Sequence, residues 1–183
     1  MNCPVCKSSA LISVDLESGL PAWKCSDCGG HWIRGVEYWK WLDEHGPNLP
    51  ERVDTDSPLS IADSGKYIDC PDCRFRMVKY LVGRGLGFTL DHCEGCRSTW
   101  LDRNEWETLK RRNLHDDLHS MLTSFWQAAA RKEERKKSLE QIYTSRFGAE
   151  DYAELKRMRA WLDAHQNKQE LLAYLTDKDP LNV

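Results

Sequence analysis

Eight cysteines fall into four C-x2-C pairs, Cys3/Cys6, Cys25/Cys28, Cys70/Cys73 and Cys93/Cys96, and none lies elsewhere. Eighteen residues separate Cys6 from Cys25 and nineteen separate Cys73 from Cys93. This is the spacing of a four-sulfur metal site, because two intervening residues let one tight turn present both sulfurs to the same ion, and a hairpin then brings two such turns together. Zinc accepts four thiolates tetrahedrally without a large core, so the chain is read as two closed sites. The ligand sets are Cys3, Cys6, Cys25 and Cys28, and Cys70, Cys73, Cys93 and Cys96. An iron site of the rubredoxin type uses the same four sulfurs and stays open as a minor alternative. Disulfides and a thioredoxin-like pair fit less well, since no export leader is visible and no βαβ pattern accompanies the cysteines.

The cysteines belong to a longer repeat, shifted by 67 or 68 positions. CPVC from Cys3 matches CPDC from Cys70, and CSDCGGHWIRGVEYW from Cys25 matches CEGCRSTWLDRNEWE from Cys93. Trp32, Ile33, Glu37 and Tyr38 therefore pair with Trp100, Leu101, Glu105 and Trp106. Between the cysteine pairs, LISVDL and LPAWKC flank Glu17, Ser18 and Gly19, and MVKYLV and LGFTLDHC flank Gly83, Arg84 and Gly85. Both arrangements predict a hairpin. A helix is expected after each last cysteine, the second opened by the capping-box-like pair Asp102 and Glu105. Trp32 and Trp100 are expected to pack each ribbon onto its own helix.

The domain plan is ribbon 1 at 1–45, a Pro-, Asp- and Ser-rich linker at 46–66, ribbon 2 at 67–113 and an α-helical region at 114–183. Leu114, Leu118, Met121, Leu122, Phe125 and Trp126 recur at helical spacing and predict one helix. The charged stretch from Arg131 to Lys137 predicts a solvated continuation, Gly148 a stop, and two further helices carry Tyr152 to Leu162 and Leu171 to Leu175. The fold class is thus a small metal-bound α+β protein, two tandem rubredoxin-like ribbons followed by helices.

Composition narrows function by exclusion. The 183-residue chain has 30% charged residues and a formal charge of -3. With eight thiolates and two zinc ions it approaches about -7. Residues 67–126 hold nine basic and nine acidic side chains, whereas a phosphate-binding domain shows a clearer positive footprint. Arg74, Arg76, Lys79, Arg84, Lys110, Arg111 and Arg112 are the groups a nucleic-acid reading would use. No P-loop, nucleophile elbow or open metal position is seen, so no catalysis and no small-molecule substrate are expected. No apolar run spans a membrane, and the cytoplasm is the expected compartment. His31 and His92 are read as bystanders of complete sulfur sites. His115 and His119, at i and i+4, are read as solvent-facing. Trp23, Trp39, Trp41 and Trp106 exceed what so small a core is expected to bury, which leaves some for a partner surface.

The two matched segments resemble the transcription-factor-IIB-type zinc ribbon family, whose pattern is Cys-Pro-x-Cys, then Cys-x-x-Cys-Gly-Gly, Trp, an aliphatic residue and a Glu-led helix. The resemblance covers about residues 1–45 and 68–112 and implies a rubredoxin-like ribbon with all eight cysteines as ligands. Arg97 and Ser98 stand where glycines are expected, which predicts an altered turn at that knuckle, and Arg34 stands where an acidic residue is expected. A zinc-stabilised protein-interaction adaptor, associated with transcription, is the first functional expectation. Nucleic-acid binding is the alternative.

Overall fold

The computed structural model describes residues 1–46, 49 and 59–180, so most of the segment read as a linker lies outside the described residues. The chain divides into two units, Met1–Glu133 and Glu134–Val183. In the first, the alternating run after Cys6 forms β1 (Leu11–Asp15), which pairs antiparallel with β2 (Pro21–Cys25), Leu11 opposite Cys25. Ser18 and Gly19 close the turn at φ 46° and 85°, and the Asp15 carboxylate accepts the Gly19 N–H at 3.1 Å. The second copy repeats this with β4 (Val78–Gly83) and β5 (Leu86–His92), turned by Arg84 and Gly85 at φ 51° and 81°.

Each copy also has a third strand that the sequence reading passed over: β3 (His31–Ile33) and β6 (Thr99–Leu101). Helix α1 (Gly35–His45) follows β3 and α2 (Glu105–Arg111) follows β6. The two short strands pair with each other and join both ribbons into one sheet of order β1-β2-β3-β6-β5-β4. His31 lies opposite Leu101, Trp32 opposite Trp100 and Ile33 opposite Thr99. Since Thr99, Trp100 and Leu101 are the repeats of His31, Trp32 and Ile33, the junction has two-fold pseudosymmetry about the tryptophan pair.

Alternation along these strands separates two cores. Trp32 and Trp100, both fully buried, cluster with Cys3, Cys25, Cys70 and Cys93, together with Ile68 and Met77. They do not pack each ribbon onto its own helix, as expected from the repeat, because their neighbours in sequence, Ile33 and Leu101, take the helical face. On that face lie Leu20, Tyr38, Trp41, Phe88, Leu90, Trp106 and Leu109. Trp41 and Trp106 are core rather than partner surface: each is 2% exposed and their rings meet edge to face at 6.0 Å. Two separate ribbons would lack room for them, but the shared sheet supplies it.

The expected helix over Leu114 to Trp126 is broken. After α2, Asn113 takes φ 51° and the Leu114 N–H bonds the Leu109 carbonyl at 2.8 Å, a closure that normally employs glycine. A one-turn α3 (Leu118–Met121) follows, then α4 (Ser124–Phe147). The break lets Leu114, Leu118 and Met121 all reach the core, and Tyr38 secures it by donating to the His115 carbonyl (3.1 Å) and accepting the Leu118 N–H (3.2 Å). His115 is consequently buried against Trp41 and Trp106, not solvent-facing, and His119 stands 5.0 Å from the Trp39 ring.

Polar anchors hold the start of α4 to the β4–β5 hairpin. The Gln127 amide donates to the Leu81 and Met121 carbonyls and accepts the Leu81 N–H, and the Glu133 carboxylate accepts the N–H groups of Arg84 and Gly85. In the second unit, the end of α4 leads through Gly148 (φ 83°) into α5 (Ala149–Ala164) and α6 (Lys168–Thr176), as the periodicity predicts.

Two predictions follow from this packing. A methyl group at Gly35 would overlap the Arg97 carbonyl at the joint between ribbons, whereas one at Gly87 meets open space. Gly35→Ala should therefore destabilise the zinc-loaded protein by about 1–3 kcal/mol in denaturant melts, while Gly87→Ala should be neutral or gain a few tenths. Glu105, buried with its carboxylate accepting the Asp102 N–H at 2.8 Å, has its pKa pushed by burial from 4.5 up to about 9. A raised folded-state value means that its contribution is present below pH 4.5 and lost as pH rises through about 9. Glu105→Gln should flatten the stability profile across that window, and an unchanged profile would refute the assignment.

Candidate metal centres

Each ribbon builds its site from two tight turns. In the first site the Cys3 carbonyl accepts the Lys7 N–H and the Cys25 carbonyl accepts the Gly29 N–H; Arg74 to Cys70 and Arg97 to Cys93 repeat this in the second. The four residues that close these turns, Lys7, Gly29, Arg74 and Arg97, all have left-handed φ of 56–75°. Arg97 therefore makes the same turn as its glycine counterpart, and the expected alteration of that knuckle does not occur. Backbone amides point at sulfur, Cys6 N–H to Cys3 Sγ at 3.3 Å and Cys73 N–H to Cys70 Sγ at 3.4 Å.

The sulfurs converge. Cys3 and Cys28 are 3.7 Å apart and Cys6 and Cys25 3.9 Å; Cys70 and Cys96 are 3.5 Å apart and Cys73 and Cys93 3.3 Å. In each set all four ligand atoms lie within 4.8 Å of one another. A tetrahedron with Zn–S bonds of about 2.3 Å demands S···S separations of about 3.8 Å, so each set can hold one zinc ion. All eight cysteines are free thiols, one buried and one half-buried in every pair. His31 and His92 join neither set; burial, with Lys24 beside the first, pushes His31 down to about 4, and burial likewise lowers His92.

Burial raises four of the eight thiols above their ordinary value. It pushes Cys3 up to about 11 and raises Cys28, Cys70 and Cys93. At Cys25 burial is outweighed by the amides of Cys28 and Asp27, which hold it near 7. A divalent ion reverses the penalty by pairing with the thiolates, and acid competes with it for the sulfurs.

Side chains around the sites tie one copy to the other. Arg34, where the family pattern has an acidic residue, binds Asp72 of the second copy through two nitrogens at 2.8 and 3.1 Å, and Trp32 Nε1 donates to the same carboxylate at 3.3 Å. Arg103 donates to the carbonyls of Cys28 and Asp27 in the first copy. Ser98, where the pattern has glycine, accepts the Gly35 N–H at 3.1 Å and lies 3.3 Å from Cys96 Sγ. Its counterpart Gly30 could not carry a side chain, because a Cβ there would enter the Trp100 ring. Sequence reasoning registered Arg34 and Ser98 only as departures; their partners lie 38 and 63 residues away.

The two sets predict two zinc ions per chain in a colorimetric release assay. Cys28→Ser and Cys96→Ser should each leave about one, and two ions retained in either variant would contradict the ligand sets.

No curated protein and no solved structure matches the chain. The family model of the TFIIB-type zinc ribbon, described as a transcription factor zinc-finger, matches residues 2–44 and again residues 69–112. Both matches fall on the hairpins and four-sulfur sites just described, so residues 2–44 and 69–112 are two tandem copies of the TFIIB-type zinc-ribbon domain.

Proposed function

We propose that the ribbon pair is a non-catalytic adaptor of the cytoplasm, serving the transcription apparatus, in which zinc holds a protein-binding surface. The observation that carries this is a groove of about 240 Å³ to which both ribbons and α3 contribute. The first ribbon supplies Ile33, Tyr38 and Trp39, the second His92, Arg97 and Thr99, and α3 and its end His119 and Leu122. Trp39 is 49% exposed at the mouth, beside His119. A groove lined by both apolar and polar side chains suits one inserted side chain of a peptide segment. Because each ribbon provides part of the wall, the site depends on both metal centres and on the joint between them.

Charge placement favours this over nucleic acid. Of the basic side chains that a phosphate-binding surface would use, Arg76 pairs with Asp69, Lys79 with Asp91, and Lys110 with Glu17 and Glu107. Arg84 lies over the Trp126 ring, and Arg112 donates to the Arg84 carbonyl. Cations committed to protein partners release few counterions on binding a phosphate backbone.

Nuclease-treated affinity purification with the full chain and with Trp39→Ala separates the readings. The wild-type chain should retain a protein partner at moderate salt, and Trp39→Ala should weaken it by about tenfold or more. Loss of the partner on nuclease treatment, or equal retention by Trp39→Ala, would sink the proposal.

A further inference from the structure

The two cysteine sets are separate in sequence but share one interior. Cys3 and Cys25 of the first set and Cys70 and Cys93 of the second are buried in a single cluster with Trp32 and Trp100. Each tryptophan therefore takes its cover from both sets. The turn after Cys25 also rests directly on the second copy: a Cβ at Gly30 would enter the Trp100 ring, and one at Gly29 would lie 2.7 Å from Arg103 Nε.

Polar contacts run in both directions across the joint, and each ends on a turn that presents ligands. Asp72, between Cys70 and Cys73, accepts two Arg34 nitrogens at 2.8 and 3.1 Å and Trp32 Nε1 at 3.3 Å. Ser98, beyond Cys96, accepts the Gly35 N–H at 3.1 Å, with its hydroxyl 3.3 Å from Cys96 Sγ. In return, Arg103 donates to the Cys28 and Asp27 carbonyls at 2.9 and 3.0 Å. A four-thiolate set of this size has no large core of its own, so binding its ion and folding its turns are one event. With the second set empty, Asp72 and Ser98 have no fixed place from which to hold Arg34 and Gly35. With the first empty, Arg103 and Trp100 have no ordered turn to meet. Filling either set thus removes part of the ordering cost of the other, and linkage makes that coupling equal in both directions.

We propose that the chain takes up its two zinc ions cooperatively, each set raising the other's affinity through the contacts that its turns make with the opposite copy. Chains holding one ion are then a minor species, and the groove at Trp39, walled by both ribbons, is built or lost as a whole. The coupling does not rest on what that groove binds.

The test uses the full chain, freed of metal and titrated with zinc against a chromophoric chelator of known affinity. Cys28→Ser reports the association constant of the second set with the first disabled, Cys96→Ser reports that of the first set, and the wild type reports the constant for loading both. Independent sets require the wild-type constant to equal the product of the other two, whereas coupling should make it at least about tenfold larger. Arg34→Ala/Arg103→Ala removes no ligand, and the same three measurements on that background should show the excess reduced by about threefold or more. A second readout needs no cysteine change. In native mass spectrometry at half-saturating zinc, one-ion chains should be scarcer in the wild type than in the arginine variant. A wild-type constant no larger than the product overturns the proposal, as do one-ion chains equally abundant in both proteins. An excess that the arginine variant leaves unchanged also overturns it, because the stated contacts then carry none of the coupling.

Discussion

The pairing of two three-residue strands, β3 with β6, is the contact on which the ribbon unit depends. Strands this short contribute few hydrogen bonds, and each ribbon alone is below the size at which a hydrophobic core suffices. Their pairing makes one sheet of six strands and gives it two faces broad enough to bury four tryptophans. On one face Trp32 and Trp100 lie between the cysteine sets; on the other Trp41 and Trp106 meet beneath the helices. Metal and core are thereby coupled, since the strand that carries each tryptophan begins just after the second cysteine pair of its own ribbon.

The polar contacts across the joint are specific rather than numerous. Arg34 with Asp72, Lys110 with Glu17, Arg103 with the Cys28 carbonyl and Ser98 with the Gly35 amide each connect one copy to the other. Lys110 is nearly buried, so its two carboxylate partners offset a desolvation cost that an exposed pair would not face. The repeat has diverged at Arg34 and Ser98, where pseudosymmetry would otherwise put a second acidic residue and a second glycine. Divergence there converts two equivalent domains into two complementary halves.

Much of the local structure was legible. The hairpin turns at Ser18-Gly19 and Arg84-Gly85, the stop at Gly148 and the helices carrying Tyr152 and Leu171 all rest on contacts between residues near in sequence. What failed were inferences about which surface a side chain would meet. The helical spacing of Leu114 to Trp126 is real, yet Asn113 leaves the helix and His115 is buried, because the core over the sheet rewards a bent path more than a straight one. Trp32 and Trp100 were recognised as core residues but placed on the wrong face.

From the sequence alone come the eight cysteines, their grouping into two sets of four, the duplicated hairpins and the helices that follow, because metal-site spacing, turn chemistry and periodicity act over a few residues to a few tens. The tertiary structure decided that the two ribbons share one sheet, that Trp41 and Trp106 are interior, and that a groove at Trp39 is walled by both copies. Those features arise from antiparallel pairing between segments 68 residues apart and from the side chains that meet across it. No local pattern specifies which strand edge a short strand will choose; that depends on the area two ribbons bury together and neither buries alone.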